Sequence, residues 1–308
     1  MNSSDLFSYL CAALAAAGNA LANVMQRKSG LQEGADRPFG PALLWDLVRS
    51  PTWLLGFFGL VGSFVLQAVA LGLGQLSAVE PIITIEVPLT LLVASRVFGA
   101  QLRWSEWSGI LVMTAGMIAL VAVLEPRPGD ETDVESAILL IAGLASAAAV
   151  VLLIAVSRRG GRLWQAAFLG GAAGTSFGLT ATFLKQTLAE GSQHGLLGVV
   201  AAWQTYVAIG FGIAGLVLVQ WALHVGPLLA AQPGFTLMDP LVSILWGVLV
   251  FQESTRTGWW LLPAAAGAAA VALGVLMLTR SPLLASLADD GGPGAFAVRR
   301  VDGTPSMP

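Results

Sequence analysis

Charge is the scarcest property of this sequence. Only 15 Lys and Arg and 18 Asp and Glu occur among 308 residues. The charged share is 11%, against about 25% in a soluble domain. The net charge of −3 and the lack of any basic stripe exclude the electrostatic footprint of a nucleic-acid-binding protein, so no nucleic acid is expected among the partners.

Cysteine and histidine are nearly absent as well. The one cysteine, Cys11, has no second thiol with which to form an internal disulfide bond. His194 and His224 are the only histidines, so neither a zinc nor a haem ligand set can be assembled. The sequence therefore predicts no cofactor and no thiol or transition-metal chemistry.

Long apolar runs are abundant, since 56% of the residues are hydrophobic and the mean hydropathy is +0.78. Runs of about 20 residues match the hydrocarbon thickness of a bilayer. They predict an all-α integral membrane protein with nine transmembrane helices, at 5–26, 52–74, 76–98, 106–124, 134–157, 162–184, 198–222, 227–250 and 258–279. Between the first two runs, residues 28–51 carry too many charges to span, and we expect a loop there with an interfacial helix around Trp45.

The distribution of cations predicts the orientation. With nine spans, only Arg127, Lys185 and Arg256 fall on the side of the N-terminus, and the other 12 of the 15 cations fall on the opposite side. The positive-inside rule then places the N-terminus outside and the C-terminus in the cytoplasm of a multi-pass protein of the cell membrane.

An internal repeat is visible in two segments offset by 152 residues. Residues 70–92 (ALGLGQLSAVEPIITIEVPLTLL) align without a gap to residues 222–244 (ALHVGPLLAAQPGFTLMDPLVSI), and both prolines of one segment match prolines of the other. The third and eighth spans therefore correspond. Equivalent spans lie five helices apart and run in opposite directions, so the repeat is inverted and has a 4+1+4 arrangement.

This arrangement divides the chain into four parts. Residues 1–124 form the first repeat, 125–161 an acidic outer loop and a linker helix, 162–280 the inverted second repeat, and 281–308 a disordered cytoplasmic tail. Inverted repeats of this kind are typical of secondary transporters, whose substrates bind near the midplane on interrupted helices. Pro81, Pro88, Pro233 and Pro240 are the predicted hinges, because proline removes a helical hydrogen bond.

Several segments resemble the drug/metabolite transporter superfamily. They are GNALANVMQRKSG in the first span, GLVGSFVLQAVALGLGQLSAVEP leading into the third, Trp104-Ser105-Glu106 before the fourth, and GTSFGLTATFLK in the sixth. The EamA-like members share this pattern, and nine spans with a charged first loop are closest to the NIPA-like branch. This resemblance implies transport by alternating access, and for the NIPA-like branch it implies magnesium as the cargo.

Two acids lie at the centre of the repeat-related spans. Glu86 is near the middle of the third span and Asp239 is in the middle of the eighth. Because ionisable groups within a bilayer usually line a pathway or change their protonation state, both are candidate substrate- or ion-binding residues. They are also the metal ligands to expect if a divalent cation is carried, and a protonated acid bonded to a neighbouring helix is the alternative.

Further polar residues are candidates for the same site. Glu80 and Gln232 occupy equivalent positions before a proline, where helix capping is an alternative role. Asn23 and Thr182 lie on polar helix faces, where interhelical hydrogen bonding is the alternative to lining a cavity. Gln67 and Gln220 add amides to the neighbouring helices of the two halves. Lys185, near a predicted span end, is expected to reach towards the lipid headgroups.

Transport is the predicted function, and an enzyme is not expected. The string Gly174-Thr-Ser176-Phe-Gly178 matches a nucleophile motif only in letters, because it lies within a predicted helix. The first prediction is proton-coupled export of a small metabolite or drug. Magnesium or another divalent cation is the alternative cargo, and a non-transporting membrane scaffold is the second alternative. Membrane lipid is a partner, and a homodimer stays open.

Overall fold

The architecture is helical throughout the part of the chain that the computed structural model describes, which is residues 3–32, 49–127, 129, 134, 136–226, 228–256, 258–278 and 280–281. Ten α-helices cover most of it, with a short 3₁₀ turn at Gly258–Trp260. They are α1 Ser3–Gln32, α2 Pro51–Leu73, α3 Leu76–Ile83, α4 Glu86–Phe98, α5 Trp104–Leu124, α6 Ser136–Ser157, α7 Arg162–Ala201, α8 Trp203–Val225, α9 Leu228–Leu249 and α10 Leu261–Leu278.

Eight stretches among the described residues are long and apolar enough to span a membrane. One of them, Leu76–Phe98, consists of α3 and α4 together. Helix α9, which is the predicted eighth span, is not among the eight, and its 22 residues include Gln232, Asp239 and two prolines. The chain therefore has the architecture of a multi-pass membrane protein.

The surface of these helices is apolar. Large side chains such as Ile141, Leu144 and Leu249 are about 70% exposed (69%, 70% and 72%). Many smaller or polar side chains are buried instead, including Ser77, Ser176 and Thr182. An apolar exterior with polar groups inside is stable in hydrocarbon, where the helices satisfy their own backbone groups.

The helices pack in two similar sets. In the first, α1 packs along α2 and against both α3 and α4. In the second, α7 packs along α8 and α9, and α6 lies beside α7. The sets meet where α3 contacts α7 and α9, where α2 contacts α7, and where α5 packs along α10.

Glycines allow α7 and α9 to approach closely. A Cβ atom added at Gly170, Gly174 or Gly178 would lie 2.2, 2.6 or 2.8 Å from a backbone oxygen of α9. The glycine ladder of the predicted sixth span therefore serves helix packing. Ser176, in the middle of α7, donates its hydroxyl hydrogen bond to the Ala172 carbonyl 2.9 Å away, as an ordinary helical serine does.

Two helices extend beyond the predicted spans. Helix α1 continues to Gln32, past Lys28, and α7 runs for 40 residues to Ala201 through a segment predicted as an outer loop. Only Gly195, with φ 64° and ψ −157°, interrupts the helical backbone of α7. The predicted interfacial helix around Trp45, most of the acidic outer loop and the tail after Ser281 lie outside the described residues.

Candidate functional site

The third span is interrupted at Thr84 and Ile85, between α3 and α4. The turn there is tightened by hydrogen bonds three residues apart, from Ile85 N to Ile82 O (3.1 Å) and from Val87 N to Thr84 O (3.2 Å). Residue 88 is a proline without an N–H group, so the Thr84 carbonyl accepts from Val87 instead. A short 3₁₀-like stretch inside a span is typical of a hinge.

Glu86 begins α4 directly after this interruption. Its carboxylate accepts a 2.7 Å hydrogen bond from the Asn23 side-chain amide and a second one from Asn19, both on α1. These two asparagines stand four residues apart, which places them on one face of α1. Helix α1 therefore supplies the polar surroundings of Glu86.

Glu80 lies on the other side of the interruption, in α3, and is buried. Its carboxylate accepts a 3.1 Å hydrogen bond from the Gln67 side-chain amide of α2. Asp239 of α9 lies within electrostatic reach of both Glu80 and Glu86. Three carboxyl groups are thus collected around the broken helix, and side-chain amides donate hydrogen bonds to two of them, Glu80 and Glu86.

Helix α9 brings unpartnered polar atoms to the interior. Gln232 Oε1, Asp239 Oδ1 and Ser243 Oγ are buried and accept no hydrogen bond from described residues. Buried acceptors without partners cost about 1–3 kcal/mol each, and an unexplained group of them indicates a binding surface. The predicted hinge prolines, Pro233 and Pro240, lie inside α9, which runs through both without interruption.

A cavity of about 730 Å³ leads to the interruption. Its inner wall is apolar and includes Ile82 and Ile85 from the turn itself. The remaining apolar lining comes from the last turns of α5, namely Met117, Ile118, Val121 and Ala122. A volume in the range of about 300–1,000 Å³ suits a small organic molecule.

Charged residues surround the mouth of this cavity. Asp5 and Tyr9 of α1 line one side, and Glu125, Arg127 and Arg256 line the other. Arg256 forms an ion pair with Glu125 and lies 4.7 Å from the ring centre of Trp260. The cavity therefore changes from a charged mouth to an apolar wall along its depth.

A second, smaller cavity of about 400 Å³ opens between α1 and α2. Asn19 and Gln67, the amides that bond Glu86 and Glu80, line it together with the apolar side chains of Leu60, Val61 and Phe64. These three apolar side chains are exposed to the surroundings to between 42% and 54%. The polar cluster thus also lies next to the lateral surface of the bundle.

Gln220 and Thr182 are the remaining predicted site residues. Gln220 is exposed on the surface of α8, and the Thr182 hydroxyl donates a 2.8 Å hydrogen bond to the Gly178 carbonyl of its own helix. Thr182 is predicted from a polar helix face, whereas Gln220 is predicted as an amide on a neighbouring helix. Periodicity identifies such a face but does not determine which neighbour it contacts.

The structure departs most clearly from the sequence-based prediction at Lys185. Instead of extending to the headgroups, its side chain is 1% exposed and pairs with Glu253, whose side chain is fully buried, at 3.4 Å. It also donates a 2.5 Å hydrogen bond to the Gly74 carbonyl at the end of α2. The position near a span end misled the prediction, because the partner lies 68 residues away.

Glu253 is the buried acid that sequence reasoning missed. Its carboxylate accepts hydrogen bonds from Leu76 N (2.6 Å), Ser77 N (3.0 Å) and the Ser77 hydroxyl. These are the first residues of α3, so Glu253 acts as an N-terminal cap supplied from outside the helix. A glutamate in a predicted loop does not by itself indicate that it caps a distant helix. The sequence shows only that Glu253 follows closely after the end of an apolar run.

The described residues contain no group of three or more His, Cys, Asp or Glu side chains arranged to hold a metal ion. The three carboxyl groups around the third span interact electrostatically without converging on one point. Their amide partners and the apolar cavity wall give the site the character of an organic-molecule site.

Comparisons with known proteins identify one similar sequence and no characterised function. No family model matches the chain, and no solved structure matches it. An uncharacterized protein of Corynebacterium glutamicum is 27% identical over 260 residues, which cover 83% of this chain and 89% of that protein. The similarity extends over most of both chains.

Proposed function

We propose that the protein is a secondary transporter of the drug/metabolite transporter type that exports a small organic metabolite or drug by alternating access, coupled to protons. The observation that carries the proposal is the collection of Glu80, Glu86 and Asp239 around the interruption of the third span, whose residues Ile82 and Ile85 line a cavity of about 730 Å³. Interrupted helices with polar side chains at mid-depth are how transporters bind substrate within a bilayer.

The proposed 4+1+4 inverted repeat is supported by helix packing. In each set the first helix packs along the second and also against the third span, α1 on α2 and α3–α4 in one, α7 on α8 and α9 in the other. The last helices of the two sets, α5 and α10, pack on each other. This plan counts α9 as a ninth span, so that the two repeats are complete.

Protons are the proposed coupling ion because the carboxyl groups have no cationic partner among the described residues. Burying a carboxyl group without a nearby cation costs less free energy when the group is protonated than when it is ionised. The carboxyl groups would lose a proton on one side of the membrane when an organic molecule binds and regain a proton on the other side. This exchange links the flux of the organic molecule to the flux of protons. Magnesium remains the alternative cargo, although the described residues present no three-ligand cluster for it.

Flux measurements in proteoliposomes test the proposal. Vesicles with a trapped pH dye and an imposed pH gradient are challenged with individual metabolites and drugs, and separately with Mg²⁺ alone and a trapped magnesium indicator. We expect an organic solute to dissipate the proton gradient, and we expect Mg²⁺ neither to enter the vesicles nor to change their internal pH. Transport that follows magnesium and ignores the proton gradient would reverse the assignment.

Site variants distinguish the proposed residues from the rest of the chain. The double variant Glu86→Gln, Asp239→Asn should abolish coupled flux while the protein still folds. Glu190→Gln, the same chemical change at a partly exposed position of α7, is the matched control and should retain it. Wild-type flux in the double variant would remove these carboxyl groups from the mechanism. If Glu80, Glu86 and Asp239 serve no transport and no solute moves, a scaffold is the better description.

The proposed orientation, with the N-terminus outside and the C-terminus in the cytoplasm of the cell membrane, needs its own test. Cysteine substitutions at the exposed residues Leu196 and Arg159 fall on opposite sides in the proposed topology. The native Cys11 is buried and gives a low background. A membrane-impermeant thiol reagent applied to intact cells should label position 196 and spare position 159, and the reverse pattern would invert the topology.

A further inference from the structure

The two halves of the third span are held by different partners. Helix α4, which carries Glu86, packs against α1 and α5, and its Glu86 is hydrogen-bonded by α1. Helix α3, which carries Glu80, packs against α1 and α5 as well but, unlike α4, also has clear contacts with α7 and α9. The interruption at Thr84–Ile85 lies between these two environments.

Glu253 fastens α3 to the helices of the second set. Its carboxylate accepts from both free N–H groups at Leu76 and Ser77, and it is itself paired with Lys185 of α7. Lys185 in turn bonds the Gly74 carbonyl, so the end of α2 and the start of α3 are held at one point. The side chains of Lys185 and Glu253 are 1% and 0% exposed, so water and salt do not compete for this contact.

We infer that Lys185 and Glu253 are positioning residues for Glu80: they pin α3 to the second helix set, so that the third span bends at Thr84–Ile85, between Glu80 and Glu86. The inference deepens the proposed function and rests on it for its role in transport. A movement of one helix set relative to the other is then taken up at the tight turn. The spacing of Glu80 and Glu86 changes as a result, because the start of α3 is bonded through Glu253 to Lys185 of α7, whereas Glu86 is bonded to α1.

The backbone at the turn suits this role. Pro81 and Pro88 remove two N–H donors on either side of Thr84–Ile85, so this part of the span has fewer helical hydrogen bonds to break than its ends do. The start of α3, by contrast, is fixed by the buried Glu253, where hydrogen bonds are strong, and α4 is held at Glu86 by the Asn23 amide of α1. A span that is held on both sides of a weak turn bends at that turn.

The attachment of α3 to the second helix set through Lys185 and Glu253 is called the pin below. Hydrogen exchange of the backbone amides, measured by mass spectrometry on the full chain in lipid nanodiscs, tests it. The double variant Lys185→Met, Glu253→Gln removes both charges and nearly preserves volume. We expect exchange at residues 76–80 to become about tenfold faster, which corresponds to ~1.4 kcal/mol, while residues 86–98 keep their wild-type rates. A general loss of packing would raise exchange on both sides of Thr84–Ile85.

Matched variants complete the test. Asn23→Ala removes the bond to Glu86 and should accelerate exchange at residues 86–90 while residues 76–80 are unchanged. Ser281→Ala removes the hydroxyl donor to Glu106, which caps α5 in a similar way, and should affect neither half of the third span. Ser77→Ala keeps the ion pair and should give a smaller rise at residues 76–80 if the double variant fails to fold.

Each outcome decides the inference separately from the proposed function. Equal acceleration on both sides of Thr84–Ile85, or none at residues 76–80 in both the double variant and Ser77→Ala, overturns the pin. If the chain shows the expected exchange pattern but moves no solute in proteoliposomes, the pin is supported and the proposed transport function is contradicted. If solute flux is measured but exchange accelerates equally on both sides of Thr84–Ile85, transport is supported and a bend between Glu80 and Glu86 is contradicted.

Discussion

The buried pair of Lys185 and Glu253 allows a quantitative prediction of stability. In Glu253→Gln, the Lys185 ammonium group keeps its hydrogen bond to the Gly74 carbonyl but loses the negative charge of Glu253. Removing one member of a buried ion pair typically costs about 3–5 kcal/mol, because a buried charge is left uncompensated. We therefore expect this single variant to lose about that much free energy of unfolding.

Lys185→Met should be milder. The Glu253 carboxylate retains three donors, from two backbone N–H groups and the Ser77 hydroxyl, so its loss is about 1–3 kcal/mol. In the double variant both charges disappear, and its cost should be smaller than the sum of the two single costs by about 2–3 kcal/mol. Unfolding in mixed detergent micelles, followed by the fluorescence of the 10 tryptophans, measures all three variants.

Single effects that add to within ~0.5 kcal/mol would contradict a coupling between Lys185 and Glu253, because non-interacting residues show additive effects. Salt supplies an independent control. The coupling between Lys185 and Glu253 should not change with ionic strength, since the pair is buried. The Glu125 and Arg256 pair at the cavity mouth, with side chains 39% and 40% exposed, should weaken as salt is raised.

Three further outcomes are expected. Gly174→Leu should lower stability by about 1–3 kcal/mol, because its added Cβ lies 2.6 Å from the Phe235 carbonyl oxygen, whereas Gly62→Leu, with open space around the same atom, should be nearly neutral in the same unfolding assay. Asn23→Leu should reduce solute flux in proteoliposomes by about tenfold, because it removes one hydrogen bond to a carboxylate worth about 1.5–3 kcal/mol. Gln220→Leu, on the exposed face of α8, should leave flux unchanged, and a loss there would place this residue in the pathway.

The helical class and most span positions could be predicted because they depend on local composition. An apolar run of about 20 residues is a helix in a bilayer whatever surrounds it, since no other conformation satisfies its backbone there. The eight spans of the structure overlap predicted ones for this reason. Glu86 and Asp239 were also visible as candidates, because an acid inside an apolar run is unusual by its position alone.

The sequence by itself thus determined which segments are helical and apolar and where charge is costly. Tertiary structure decided which polar groups meet: Asn23 with Glu86, Gln67 with Glu80, and Lys185 with Glu253. These partners stand 13 to 68 residues apart, and hydrophobic periodicity contains no information about which faces of different helices oppose each other. Glu253 was missed for that reason, since the direction of a side chain depends on how its helix is rotated against its neighbours.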